Sequence, residues 1–334
     1  MLELIKNFHN QWIDAKKISE KISLKKIKNI NSIVIAGMGG SAIGGDIFKA
    51  CYEDELKMQI IVNREYLLPS WVNKNTLVFA ISYSGNTEET LSAYEDAKQK
   101  NAKIICITSG GKLEEVASKD KIECVKIPTN YPPRSALGYL FIPIVMSVSK
   151  IGLLKNQNKN INETGVFIEK LIKEYSSSNT IKEIAEKMYK KPILICAGKF
   201  LKPAAYRFKT QINENAKAIA YTVSLPEMNH NEIVGWAEPL KKKLKYWVVA
   251  LLMDKEDHDR VKLRFEITKK IFNKITNNII EIHSKGESKL ARIFSVILLG
   301  DFVSVYLANL YQIDPRPVKI IDFLKQELSV DKRK

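Results

Sequence analysis

The chain has 334 residues, 45% of them hydrophobic, and carries 53 Lys and Arg against 37 Asp and Glu for a net charge of +16. That size and apolar content predict a globular protein of two domains with substantial cores. No uninterrupted apolar run of about 18 residues is present, so no membrane span is expected.

The four cysteines (Cys51, Cys106, Cys124, Cys196) are scattered without CxxC spacing and read as core thiols of a reducing cytoplasm, with no metal site. The basic excess is spread along the whole chain. Its densest cluster, "KKKLK" at 241–245, has no interleaved aromatic residue, so nucleic acid is not the expected partner; the charge reads as a Lys-rich solvated surface, with a field that attracts anionic substrates as the alternative.

Taken in order, residues 1–30 form a leading amphipathic helix and not a signal peptide. "SIVIAG" is a buried strand followed by a helix from Ser41 to about Cys51. "MQIIVN" and "TLVFAIS" are the next strands, and a helix from about Asn86 to Lys100 carries Glu88, Glu89 and Glu95 on its polar side. "KIICITS", a helix around "LEEVAS" and the strand "ECVKIP" complete the alternation. Strands this continuously apolar predict a parallel sheet covered on both faces, hence an α/β protein. A 19-residue apolar stretch, "ALGYLFIPIVMSVSKIGLL", is a buried domain helix interrupted by Pro143.

The Asn-rich segment at 155–165 is the expected linker, dividing the chain into domains 1–153 and 154–334. Beyond it the pattern restarts. "PILICAG" answers "SIVIAG", "AIAYTVS" answers "MQIIVN", "YWVVALLMD" answers "TLVFAIS" and "NIIEIHS" answers "KIICITS". Element order therefore predicts a duplicated α/β unit. The end of the chain, "VDKRK", is expected to fray.

Ligands of open parallel sheets bind beyond the carboxyl ends of the strands. Two loops there are rich in small groups. "GMGGSAIGGD" (37–46) supplies Gly39, Gly40 and Ser41 at a helix start, and "SYSGNTEET" (82–90) supplies Ser82, Ser84 and Thr87 at another. Hydroxyls, glycines and free helix N–H groups together suit a dianionic phosphate ester. The competing reading is a dinucleotide fingerprint, because Gly37, Gly39 and Ala42 fit G-x-G-x-x-A and Glu65 stands where a ribose contact would be. It leaves the second hydroxyl-rich loop unexplained.

These two loops and "PPRSALGYL" resemble a sugar isomerase (SIS) domain. With "QINENAK", "PEMNHNEIVGW" and "DPRPVKIIDFLKQEL", the chain from about residue 30 to 328 resembles the bifunctional phosphoglucose/phosphomannose isomerase family. The resemblance implies two SIS-type three-layer αβα domains, each a mainly parallel sheet flanked by helices, in a homodimer without metal or organic cofactor. It implies interconversion of fructose 6-phosphate with glucose 6-phosphate and mannose 6-phosphate. It assigns Glu214 as the base that moves the proton between C1 and C2, His230 to ring opening from the neighbouring subunit, Arg134 to the charge of the enediolate, and a C-terminal lysine to the ring oxygen. Lys325 is the expected lysine, with Lys319 as the alternative. Arg316 stands before Pro317, where the family often has a small hydroxylated residue, which leaves the epimer preference open. A different sugar-phosphate isomerase, or a non-catalytic sugar-phosphate sensor, would share the same phosphate loops.

Overall fold

The computed structural model describes residues 1–236 and 241–330. Among the described residues nine strands form two sheets. The first contains β1 (Ser32–Ala36), β2 (Gln59–Asn63), β3 (Thr76–Ser82), β4 (Lys103–Thr108) and β5 (Glu123–Lys126) in the order β2-β1-β3-β4-β5. The second contains β6 (Ile193–Ala197), β7 (Ala220–Ser224), β8 (Val248–Met253) and β9 (Ile279–His283) in the order β7-β6-β8-β9. Every pairing is parallel. The second order repeats the first four strands of the first order, so the expected duplication is present. Residues of β1, β3 and β6 are buried without exception, which is why those runs show no polar alternation.

Helices in chain order are α1 (Leu2–Lys6), α2 (Phe8–Glu20), α3 (Gly39–Leu56), α4 (Glu88–Gln99), α5 (Gly111–Lys119), α6 (Leu137–Lys150) and α7 (Asn158–Ser177). They continue with α8 (Asn179–Met188), α9 (Lys202–Ala216), α10 (Lys241–Leu244), α11 (Asp259–Phe272), α12 (Lys289–Leu310) and α13 (Lys319–Val330). One apolar core runs through both halves. Trp12 from α2 lies 4.8 Å from the Phe294 ring of α12 and 6.0 Å from Phe141 of α6.

The structure corrects two expectations. The leading segment is not one helix to residue 30. It breaks at Asn7, ends at Glu20 and continues without regular structure, pinned where Ile27 N–H donates to the Ile151 carbonyl. The Asn-rich segment at 155–165 is not a linker along its length, because α7 begins at Asn158. Ile161, Gly165 and Ile168 at i, i+4 and i+7 are its buried side, and Trp12 Nε1–H donates 2.9 Å to the Ile161 carbonyl. Polar composition concealed a helix that needs only one apolar stripe.

Helix α12 is long and apolar enough to cross a membrane by length and composition, yet 78% of its most apolar window is buried inside the protein. It packs against α7, α8 and α9 and so serves as the central helix of the second half. From residue 331 on, the terminal segment expected to fray lies outside the described residues.

Candidate active site

The loops at the carboxyl ends of β1 and β3 lock onto each other. Ser41, at the start of α3, is buried, and its Oγ accepts a 3.2 Å bond from Tyr83 N–H. Ser82 is fully buried, with its Oγ 2.8 Å from Thr87 Oγ1. Ser84 is exposed and accepts from Asn86 N–H at 3.2 Å. The hydroxyls predicted to share one task are thus divided. Ser41 and Ser82 turn toward the protein, whereas Ser84 and half-buried Thr87 reach the surface. Thr87 occupies the N-cap of α4 without capping it through its side chain, which leaves the first-turn N–H groups free of a side-chain cap. Helix α4 starts at Glu88, two residues later than the sequence pattern predicts, because Asn86 is held in the turn by its bonds to Ser84 and Lys112.

Two glycines let this surface close. Gly85 sits at φ +70°, and a Cβ there would collide with the Gly110 carbonyl. A Cβ on Gly40 would stand 2.8 Å from the Pro133 carbonyl. Gly40 therefore brings the start of α3, with exposed Gly39, directly against the turn Pro133–Ser135 that carries Arg134.

Arg134 is buried and its guanidinium is heavily engaged. Nε donates 2.9 Å to Asn215 Oδ1, Nη1 donates 3.4 Å to Glu214 Oε2, and Nη2 donates to the carbonyls of Pro315 (2.7 Å) and Arg316 (3.0 Å). Burial lowers its pKa from the ordinary arginine value, while Glu214 opposes that shift. Arg134 thus joins the phosphate-loop half to α9 and to the segment before α13. The Glu214 side chain is 28% exposed, open to solvent beside a buried cation.

The remaining catalytic candidates make no hydrogen bond or ion pair with this pair among the described residues. His230 is exposed at the end of the turn Glu227–His230, and its side chain makes no hydrogen bond or ion pair among the described residues. Lys319 and Lys325 are exposed on α13. Lys319 lies three residues beyond the Arg316 carbonyl held by Arg134, and Lys325 lies about 9 Å of helix rise farther. Glu65, the residue of the dinucleotide reading, is exposed. Among the described residues no group of three His, Cys, Asp or Glu could hold a metal ion. Two cavities, of about 520 and 380 Å³, are lined without Glu214, one between α3 and the start of α9 and one at the ends of β6 and β8.

Several contributors escaped the sequence reading. Lys217 donates to the main-chain carbonyls of Glu214 (2.5 Å) and Pro315 (3.2 Å), and burial, with Arg134 nearby, lowers its pKa. Asn215, Gln211 and Arg207 recur every four residues along α9 and are all buried. Their spacing was the available signal, but a polar stripe on a helix reads as a solvated face unless burial is known.

Comparison with known proteins agrees with this architecture. Residues 26–137 match the SIS domain and residues 177–328 match the bacterial phospho-glucose isomerase C-terminal SIS domain. The chain is 46% identical to the bifunctional phosphoglucose/phosphomannose isomerase of Caldicellulosiruptor bescii over 98% of this chain and 99% of that one. It is 38% identical to the protein of the same name from Aquifex aeolicus, over 98% and 97%. Its fold matches the crystal structure of tagatose-6-phosphate ketose/aldose isomerase from Escherichia coli with a TM-score of 0.72 at 14% identity, covering 94% of this chain and 93% of that one.

Proposed function

The chain belongs to the bifunctional phosphoglucose/phosphomannose isomerase family, and from that membership we infer that it interconverts fructose 6-phosphate with glucose 6-phosphate and mannose 6-phosphate. The observation that carries the reading is the meeting, 3.4 Å apart, of Glu214 on α9 with Arg134, whose turn packs against the glycine loop of α3.

In this reading the substrate phosphate lies between the starts of α3 and α4. Ser84 and Thr87 donate their hydroxyls, Gly39, Gly40 and the first turns supply N–H groups, and Ser41 and Ser82 hold the loops in place. After ring opening, Glu214 takes the proton from one of C1 and C2 and returns it to the other. Arg134 stabilises the charge that develops on the enediolate oxygens, since a buried, fixed cation needs no reorganisation. The intermediate is planar at C2. Rotation about the C2–C3 bond turns either face of C2 toward Glu214, so one base can give both epimers. The chemistry is proton transfer throughout and requires no cofactor.

Ring opening is assigned to His230 of the partner subunit and to Lys325, with Lys319 the competing choice. A homodimer also accounts for α13, which exposes Ile320 (85%), Phe323 (62%) and Leu324 (56%) on the single chain. The setting is cytoplasmic metabolism.

The test is turnover of fructose 6-phosphate by the purified protein, following glucose 6-phosphate and mannose 6-phosphate separately beside Glu214→Gln. Both products from the wild type, and a loss of about 10²–10⁴-fold in the variant, are expected. No product despite fructose 6-phosphate binding would overturn the assignment in favour of a sensor or another sugar phosphate. Wild-type rates in Glu214→Gln would remove Glu214 as the base.

A further inference from the structure

Behind Arg134 lies a buried polar cluster in an otherwise apolar helix seam. Arg207 of α9 is 4% exposed, and its Nε and Nη2 donate to the two carboxylate oxygens of Asp301 of α12 at 3.0 and 2.7 Å. The same Nη2 donates 3.0 Å to the main-chain carbonyl of Arg134. Gln211 Nε2 donates 3.3 Å to that carbonyl as well. One turn farther, Asn215 accepts from Arg134 Nε and donates to Gln211 and to Ser304 of α12.

The cluster is out of substrate's reach. The cavity it lines together with Met1 and Phe8 holds only about 10 Å³, at the lower bound for a single water. Arg207 therefore touches Arg134, and Asp301 touches Arg207, rather than the sugar. Nor is stability a sufficient reason for them, because a buried ion pair is often no better than well-packed apolar residues of similar volume. What the pair supplies is position. A bidentate carboxylate fixes the guanidinium plane of Arg207, and that plane fixes the backbone of Arg134. Asn215 on the same helix face fixes the Arg134 side chain, and Glu214 is the adjacent residue of α9. One stripe of one helix thus sets the base and both ends of the cation.

We infer that Arg207, locked by Asp301 and assisted by Gln211, is a positioning residue for Arg134 in the isomerisation step. The inference rests on the role given to Arg134 above. Loss of Arg207 lets Arg134 shift relative to Glu214 while the phosphate loops stay in place. It acts on kcat and leaves KM for fructose 6-phosphate largely unchanged.

The experiment is a double-mutant cycle on the purified full chain, with Arg207→Met and Gln211→Ala each made alone and with Arg134→Ala. Kinetic constants are referred to folded protein by circular dichroism and thermal melting. Arg207→Met is expected to lower kcat by about 10²-fold, the scale of a 1 Å misplacement, with Arg207→Lys recovering part of it. Gln211→Ala is expected to lower kcat less. Neither should cost anything further in the Arg134→Ala background. Losses that add to that of Arg134→Ala, or a kcat unchanged in the folded single variants, would overturn the inference. Should Arg207→Met fail to fold, Gln211→Ala decides, since it removes a bond to the same carbonyl without orphaning a charge. An Arg134→Ala enzyme with wild-type kcat would instead refute the role of Arg134, a separate outcome.

Discussion

Arg134 Nη1 and Glu214 Oε2 stand 3.4 Å apart although 80 residues separate them in sequence. Arg134 is the buried member, holding two carbonyls and an amide besides the carboxylate, and Glu214 is the open one. The two can be separated by mutation. Arg134→Lys keeps a charge but not the planar fork that makes four contacts in three directions. It is expected to lower kcat by about 10²–10³-fold, the usual loss for one fixed electrostatic stabiliser, and to lower the melting temperature, because the Arg316 carbonyl loses its donor and that of Pro315 keeps only Lys217. Steady-state kinetics beside calorimetry check both. A Lys variant with wild-type kcat would show that a charge alone suffices there.

The division of labour among the loop hydroxyls makes a second prediction. Thr87→Ala and Ser84→Ala remove groups proposed to bind the phosphate, and each should cost about 1.5–3 kcal/mol of phosphate-ester binding, read as a raised KM for fructose 6-phosphate with kcat nearly unchanged. Ser82→Ala removes a buried partner of Thr87. It should cost about 1 kcal/mol of stability and raise KM less than Thr87→Ala does. Equal effects of all three on KM would mean that Ser82 also contacts the ligand.

The two hydroxyl-rich loops and the strand repeat were legible in the sequence because each depends on local pattern. Continuous apolar runs mark strands covered on both faces, and small polar residues directly after them mark ligand loops. The arrangement of Arg134 was not legible, since it depends on which face of α9 is buried. Arg207, Gln211 and Asn215 look from sequence like the outward stripe of an amphipathic helix, while Phe208 and Ile212 look like the inward one. In the fold both stripes are inside, because α12 and the turn at Arg134 cover the polar one. The segment at 155–165 failed in the opposite sense: of the asparagines that suggested a loop, Asn158, Asn160 and Asn162 lie in a helix, the first two half-buried and the third exposed.

Asp257 offers a pH test away from the site. It is 9% exposed, and burial raises its carboxyl pKa above the ordinary value, with the N–H of Asp254 opposing and the Asp254 charge adding to the rise. A raised folded-state pKa means that the ionised form is penalised in the native protein. The penalty is absent below the unfolded-state value of about 3.9 and develops as pH rises through the window up to the folded-state value. Asp257→Asn mimics the protonated form and keeps an oxygen for the 3.0 Å bond from Asp254 N–H. The variant should therefore melt higher than wild type at pH 7, and the difference should shrink as pH falls through that window. A wild type that gains on the variant as pH rises would reverse the sign of this argument.

The last prediction concerns assembly. His230 is exposed and makes no hydrogen bond or ion pair with Arg134 or Glu214 in the single chain, and α13 presents Ile320, Phe323 and Leu324 to solvent. Covering those three apolar side chains is worth about 1.5–3 kcal/mol each, enough to matter in a dimer contact, so Phe323→Asp with Leu324→Asp should yield monomers by light scattering and a large loss of turnover. The stronger test is complementation. Glu214→Gln and His230→Ala proteins should each be inactive alone. If His230 of the partner subunit completes the site, a mixed dimer holds one site in which both residues are intact and one in which both are replaced. After equal mixing and subunit exchange, turnover should rise from nearly zero to roughly a quarter of wild type, because half of the dimers are mixed and one of their two sites works. Failure to recover activity, with exchange verified by differently tagged chains, would place His230 and Glu214 in the same subunit's site or remove His230 from the chemistry.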